Sequence, residues 1–250
     1  MSREGENYMR YGFFSDVHSN LEALEAVIRD FEKEKIDKLF FLGDVVGYGP
    51  DPNQCVTIVT QTSDITLMGN HDHAAIGVLD ATWFNQYARQ AIDWTKEVLT
   101  PQNSKIIEKF PLDTKLPDFY LVHSTPKDPQ NWDYILDLDQ AEENFPFFEQ
   151  QICLIGHSHL PAIIKKYKDQ PCVLHKKPSV EIEKDCKYII NIGAVGQPRD
   201  GNNQACYLIF DNAKNKAELK RVSYDVKKTQ TKMRKAGLPQ YLIDRLSWGR

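Results

Sequence analysis

Five short stretches carry side chains that can bind metal ions or move protons: Asp16-Val17-His18, Gly43-Asp44, Gly69-Asn70-His71-Asp72, Val122-His123-Ser124 and Gly156-His157-Ser158-His159. Of the seven histidines, only His73 and His175 lie elsewhere. Taken singly, each stretch has an ordinary structural explanation. An acid after a strand starts helices, Gly-Asp makes turns, and a lone histidine is usually a hydrogen-bonded core residue. Taken together, two aspartates, an asparagine and several imidazoles form a mixed oxygen and nitrogen donor set. Such a set suits Mn, Fe, Zn, Co or Ni rather than calcium, which prefers oxygen alone. Asp16, His18, Asp44, Asn70, His123, His157 and His159 are too many donors for one tetrahedral ion. They are about right for two ions that share a carboxylate, and a pair roughly 3.5–4 Å apart serves displacement at phosphorus.

The elements that must position these donors are legible as hydrophobic runs. Residues 10–15, 38–42, 65–68, 119–122 and 152–155 read as short buried strands, and each ends at one of the five stretches. In open α/β sheets ligands bind beyond the carboxyl ends of strands, so five strand ends would deliver their polar side chains to one rim. Between the first strands, Ser19-Asn20-Leu21-Glu22 fits a capping box that opens a helix with Leu21, Leu24, Ile28 and Phe31 on one face. Pro52 fits the first turn of a second helix, to about Thr60. This alternation predicts βαβ units and a parallel sheet. Residues 83–99, 103–110 and 138–150 read as helices. From residue 160 the texture changes to short strand candidates at 160–167, 171–175, 179–183, 186–192, 204–210 and 217–224, with an antiparallel look. A helix at about 225–235 and a last turn after Pro239 follow.

No linker, repeat or low-complexity segment interrupts the chain. Residues 1–250 are therefore expected to form one α/β domain of two packed sheets with helices outside. Its ligand-rich half would span about 8–160, a second-sheet half about 160–224, and a C-terminal helix about 225–250. An apolar fraction of 41% in 250 residues is enough for a sizeable core and argues against disorder. With a net charge of −4 and no arginine or lysine stripe, nucleic acid is not expected as a partner. No apolar run approaches the roughly 20 residues that cross a bilayer, and the polar, acidic start is unlike a secretory leader. A cytoplasmic location is the expectation. The five cysteines are odd in number and lack Cys-x-x-Cys spacing, so they are expected to be buried free thiols.

The five motifs, in order and at this spacing, resemble those of the calcineurin-like metallophosphoesterases, in particular small bacterial and archaeal phosphodiesterase-like members. The resemblance covers about residues 12–160 and extends to Asn191-Ile192-Gly193. It implies a four-layer α-β-β-α sandwich of two mixed sheets flanked by helices, in line with the strand reading. It also implies roles. Asp16, His18 and His159 would hold one divalent ion, and Asn70, His123 and His157 a second, with Asp44 and a hydroxide bridging them. Manganese is the first expectation for both ions, with Fe, Zn, Co or Ni as alternatives. The hydroxide would attack phosphorus in a phosphomonoester or phosphodiester. His71 would protonate the departing alkoxide as a general acid. Asp72 would either orient an imidazole or cap a helix.

The phosphoprotein phosphatases of this superfamily carry an Asp and an Arg shortly after the bridging Asp. Here the stretch is Asp44-Val45-Val46-Gly47-Tyr48-Gly49-Pro50, without either. This weighs against a serine/threonine protein phosphatase, which stays an alternative beside a hydrolase of nucleotide pyrophosphates such as dinucleoside polyphosphates. Arg199, on the glycine-rich loop Gly196-Gln197-Pro198-Arg199-Asp200-Gly201, is a candidate to grip phosphate in place of the missing Arg. Tyr48 and Trp132 are candidates to stack on a nucleobase. The expected partner is a small phosphoester or nucleotide, and the last 90 residues could supply a homo-oligomer contact or a cap over the site.

Overall fold

Side chains of a strand point alternately to its two faces, and adjacent phenylalanines show what this does here. In β1 (Arg10–Phe14), Phe13 packs among Phe40, Leu121, Leu154, Ile190 and Leu208, whereas Phe14 packs against Phe31, Val56 and Val59. A strand that is apolar on both sides must be covered on both sides. One cover is a second sheet and the other a layer of helices. The computed structural model describes residues 8–250, so the polar start at residues 1–7 lies outside the described residues.

Among the described residues, twelve strands form two six-stranded mixed sheets. In the first, β1 pairs in parallel with β2 (Lys38–Phe41), and β2 with β3 (Ile65–Thr66). On its other side β1 pairs antiparallel with β11 (Ala205–Asp211), which continues to β12 (Lys216–Val222) and β9 (Ser179–Glu181). In the second sheet, β5 (Phe119–Val122), β6 (Ile152–Ile155) and β10 (Cys186–Asn191) are parallel. β4 (Asp113–Lys115) edges one side, and β7 (Ala162–Tyr167) and β8 (Val173–His175) the other. The inner faces of both sheets make one aromatic-rich core, in which Phe13 and Phe40 stack at 5.0 Å and Phe119 and Phe210 meet edge-on at 5.1 Å.

Helices cover the outer faces. α1 (Leu21–Lys33), α2 (Pro52–Thr62), α4 (Gln86–Val98) and α5 (Pro101–Ile107) lie over the first sheet. α6 (Leu138–Asn144), followed by a 3-10 turn at Phe145–Phe147, lies over the second. α3 (Asn70–Ala75) is a single short helix directly after β3. α7 (Val226–Lys235) and α8 (Gln240–Trp248) pack on α4 and reach Tyr48. The result is the expected α-β-β-α sandwich.

Four expectations are corrected. Residues 160–224 do not supply a second sheet, because β9, β11 and β12 complete the first and β7, β8 and β10 the second. The C-terminal segment holds two helices, since Gly237 takes a left-handed φ of +70° and Pro239 starts a new one. The α1 cap is Asn20, whose side chain accepts from Ala23 N at 3.2 Å. Glu22 instead reaches across to α7, accepting from Lys232 at 2.7 Å and Lys228 at 3.2 Å. The helix expected over 138–150 stops early, because Pro146 lacks the amide that an α-helix interior needs.

Candidate metal centre

All seven expected donors lie beyond the carboxyl ends of parallel strands. Asp16 and His18 follow β1, Asp44 follows β2, and Asn70 opens α3 after β3. His123 follows β5, and His157 and His159 follow β6. Backbone bonds lace these loops together. Asp16 N donates to Gly43 O at 2.9 Å, His18 N to Asp44 O at 3.0 Å, Gly156 N to His123 O at 2.9 Å and Gly196 N to Asp16 O at 2.8 Å. The last of these crosses from one sheet to the other. Every one of the seven donors is buried, from 0% exposed for Asp16 and His123 to 7% for Asn70.

Five of the seven, Asp16, His18, Asp44, His157 and His159, have φ between +47° and +65°. That left-handed conformation costs a non-glycine residue about 1–2 kcal/mol, and clusters of such strain mark functional sites. It lets the chain turn sharply at the strand end while the side chain points back to a common centre.

The side chains converge. His159 Nε2 is 3.1 Å from Asp16 Oδ1, His123 Nε2 is 3.3 Å from Asp44 Oδ2, and His18 Nε2 lies 3.7 Å from Asp16 and 3.6 Å from Asp44. Three groups bring their donor atoms within 4.8 Å of one another: Asp16 with His18 and His159, Asp44 with His123 and His157, and His18 with Asp44 and His71.

Whether these atoms suit cations follows from their lone pairs. His18 Nδ1 faces Val46 O at 3.1 Å, His123 Nδ1 faces Leu42 O at 2.8 Å, and His159 Nδ1 faces Gln197 O at 2.6 Å. A carbonyl only accepts, so each Nδ1 carries a proton, and on a neutral ring Nε2 then presents a lone pair inward. The Nε2 atoms of His18 and His159 are nevertheless 3.0 Å apart. Two lone pairs at that distance repel unless a positive charge lies beside them. His157 is turned the other way: Nε2 donates to Trp132 O at 2.9 Å, so Nδ1 faces the centre. Asp16 Oδ1, Asn70 Oδ1 and His123 Nε2 are buried with no hydrogen-bond partner among the described residues. Buried polar atoms are rarely left so, and an ion is one reason for it. The donor set fits divalent metal, with carbonyls orienting the imidazoles from behind.

The electrostatics of these side chains are split. Burial opposes ionisation of Asp16 and Asp44, but the imidazoles around them hold both carboxyls well below the usual carboxylate range. Burial also opposes charging of His123, yet Asp44 and Asp16 push it up to about 9. Burial lowers His157 to about 4, helped by His123, and lowers His159 to about 3, helped by Arg199.

Two neighbours complete the site. His71 opens α3 beside Asn70, and its backbone N donates to Asp44 Oδ1 at 2.8 Å. Its ring sits between Tyr48 at 4.4 Å, His18 at 4.7 Å and Phe84 at 4.8 Å, and burial keeps it neutral. Asp72 orients no imidazole. Its Oδ2 accepts from Asp44 N at 2.8 Å and Gly69 N at 3.1 Å, and its Oδ1 from Val46 N at 3.1 Å. It therefore both caps α3 and pins the Asp44 loop to it. Burial and the charge of Asp44 push its carboxyl up to about 8, against these three amides.

Arg199 Nη2 donates to Tyr48 Oη at 3.2 Å and to Gln197 Oε1 at 3.3 Å, while its Nε is buried without a partner. No carboxylate pairs with it among the described residues, and Asp200 is taken by Arg221. Tyr48 is not a stacking platform: it is 5% exposed, with His18 and His71 against its ring. Trp132 is partly buried and lends His157 its carbonyl. His175 lies away in β8 and bonds Ser179 O. Sequence reasoning missed Trp83, Phe84 and Tyr134, which wall the cleft above the donors. Only their aromatic character pointed to them.

A profile of the calcineurin-like phosphoesterase superfamily domain matches residues 9–215. The protein MJ0912 of Methanocaldococcus jannaschii is 40% identical over 240 residues, covering 94% of this chain and 96% of that protein. The crystal structure of a metallophosphoesterase from Sphaerobacter thermophilus is 39% identical, with a TM-score of 0.85 over 98% of this chain and 100% of that one. The hypothetical protein PH1004 of Pyrococcus horikoshii shares the fold at 18% identity, with a TM-score of 0.76 over 97% of this chain and 98% of that one. Match and geometry agree, and the chain belongs to the calcineurin-like phosphoesterase superfamily as a metal-binding phosphoesterase.

Proposed function

We propose that the protein is a dinuclear metal-dependent hydrolase of phosphomonoesters or phosphodiesters. Asp16, His18 and His159 would hold one ion and Asn70, His123 and His157 the other, with Asp44 shared. The observation that carries this reading is the pair of inward lone pairs on His18 and His159, 3.0 Å apart with both Nδ1 atoms already engaged. When bound, two such ions supply Lewis acidity and a water-derived nucleophile near neutral pH. Manganese suits the mixed donor set, although Fe, Zn, Co and Ni suit it too.

The remaining work falls to the chain. His71, held by its backbone bond to Asp44, faces the cleft beside Asn70 and is placed to give a proton to the leaving oxygen. Burial keeps it neutral, and an anionic phosphoester beside it would restore its affinity for that proton. Arg199, with no carboxylate partner and one buried N–H unused, can turn to phosphoryl oxygens as a fork-shaped donor. A protein-phosphatase role fits less well, because the stretch after Asp44, Val45-Val46-Gly47-Tyr48, carries neither the Asp nor the Arg of that class. Five buried free cysteines accord with a reducing compartment such as the cytoplasm.

The test is turnover of p-nitrophenyl phosphate and bis-p-nitrophenyl phosphate by chelator-treated protein reloaded with Mn²⁺ or Ni²⁺, with metal analysis alongside. Two ions per chain and metal-dependent turnover are expected. His71→Ala should lose most of the rate with both metals retained, and Asp44→Ala should lose metal as well. Folded protein that takes up no transition metal, or takes it up and turns over neither ester, would refute the proposal.

A further inference from the structure

From the metal centre a cleft of about 260 Å³ opens to solvent, with His71 and His157 at its floor. Its two walls come from different parts of the fold. Phe84, between α3 and α4, packs on His71 with ring centroids 4.8 Å apart. Tyr134, between β5 and α6, stacks on His157 at 4.0 Å and 15°. Trp83 stands at the mouth beside Phe84, on a short turn anchored by buried Ala81 and by the bond from Thr82 N to Asp80. Trp132 closes the opposite side.

Three features restrict the occupant. Trp83 is 86% exposed and Tyr134 45%, so each leaves much of its ring to solvent. Large exposed rings that gather in one place mark a binding surface. Among the described residues no Asp, Glu, Lys or Arg lines the cleft, so it suits an uncharged group and not a polyphosphate tail or a charged peptide. Its volume equals about nine waters at roughly 30 Å³ each, room for a fused ring and too little for a macromolecular segment.

We propose that this cleft seats a nucleobase carried on the organic arm of the substrate, stacked between Trp83 and Tyr134, so that the substrates are nucleoside phosphate esters. The inference rests on the phosphoesterase reading above and adds the identity of the group attached to the phosphate. Trp83 and Tyr134 act as specificity residues. They touch the ring of the substrate and take no part in the reaction at phosphorus.

The experiment compares adenosine 5′-monophosphate, ribose 5-phosphate and hexyl phosphate as ligands of the Mn²⁺-loaded protein. Binding is read by tryptophan fluorescence and, independently, by competition against bis-p-nitrophenyl phosphate turnover. The nucleotide should bind roughly tenfold or more tightly than ribose 5-phosphate, the scale of base stacking on an aromatic side chain. Trp83→Ala should remove most of that advantage and leave ribose 5-phosphate binding unchanged, and Tyr134→Ala should remove most of it as well. Both side chains are solvent-facing, and a melting temperature close to the parent's will verify that the variants fold. Equal affinity for the nucleotide and ribose 5-phosphate would overturn the proposal. So would an equal gain for hexyl phosphate, which would make the cleft a general apolar channel. Failure of the underlying phosphoesterase reading looks different: ribose 5-phosphate would then bind without regard to metal, and the p-nitrophenyl esters would not be turned over.

Discussion

Asp72 binds no metal in the scheme above, yet its replacement should be among the most damaging at this rim. Its carboxyl group is fully buried and accepts the backbone amides of Asp44, Val46 and Gly69 at 2.8–3.1 Å. Asp72→Ala strands three buried N–H groups, each costing about 1–3 kcal/mol. Water entry and loop relaxation will recover part of that, leaving about 4 kcal/mol. For a domain of this size 1 kcal/mol shifts melting by about 2–4 °C, so the variant should melt about 8–16 °C lower. Asp72→Asn keeps one acceptor oxygen and loses at least one bond, for about 1–3 kcal/mol. The same amides fix Asp44 against Asn70 and His71, so metal affinity should fall by about 10–100-fold, as for other groups that orient ligands. Thermal unfolding at neutral pH, with and without Mn²⁺, combined with metal titration, measures both effects. An alanine variant that melts within about 3 °C of the parent and binds metal equally well would refute the reasoning.

Further outcomes follow from the structure. His123, pushed up to about 9 by Asp44 and Asp16, holds a proton at neutral pH that metal must expel. Mn²⁺ added to weakly buffered, metal-free protein should thus release close to one proton per chain, affinity should climb as pH rises toward 9, and the absence of proton release would contradict the assignment. Because that value is raised, His123 stabilises the metal-free fold fully below its ordinary 6.5, and this contribution is lost as pH rises through about 9, visible as a falling melting temperature. Gly69→Ala would set a Cβ 2.6 Å from Asp44 Cγ and should abolish metal binding, whereas Gly77→Ala meets nothing within 4 Å and should cost only about 1–2 kcal/mol for its left-handed φ; equal effects in calorimetry and metal titration would count against the packing argument. Burial resists ionisation of Glu22, but Lys232 and Lys228 hold its carboxyl below the ordinary 4.5. Its stabilisation is therefore present above about 4.5 and disappears as pH falls through the lowered value, so Glu22→Gln should cost about 1.5–3 kcal/mol in urea unfolding at neutral pH and little in strong acid.

The strands that end in donors were legible because each combines a short apolar run with a polar side chain at its carboxyl end. Asp16, Asp44 and His123 could be placed on one rim for that reason alone. Sheet membership was not legible. The residues that decide it, such as Gly12 opposite Ile209 and Ile190 opposite Leu154, pair across nearly the whole chain or between strands of similar composition. β4 escaped notice because Asp113-Thr114-Lys115 is polar and sits between prolines, as an edge strand can. Tyr48 was expected to stack on substrate and Trp83 went unnoticed for a similar reason: ring exposure depends on what packs from α8 and α4, which no local pattern records. The lone-pair conflict between His18 and His159 needs the carbonyls of Val46 and Gln197, and those lie far away in sequence.

The interleaving of the two sheets bears on how the chain is made. All seven donors have been synthesised by residue 159, yet β1 then has an open edge where β11 belongs, and β6 has one where β10 belongs. Synthesis proceeds from the amino terminus, so most of the chain must wait for its last strands before either sheet can close. Unpaired edges and long-range pairing make such intermediates slow and prone to aggregation. A ribosome-bound chain halted near residue 160 should therefore resist neither protease nor chelator, although it carries every group needed to hold the ions.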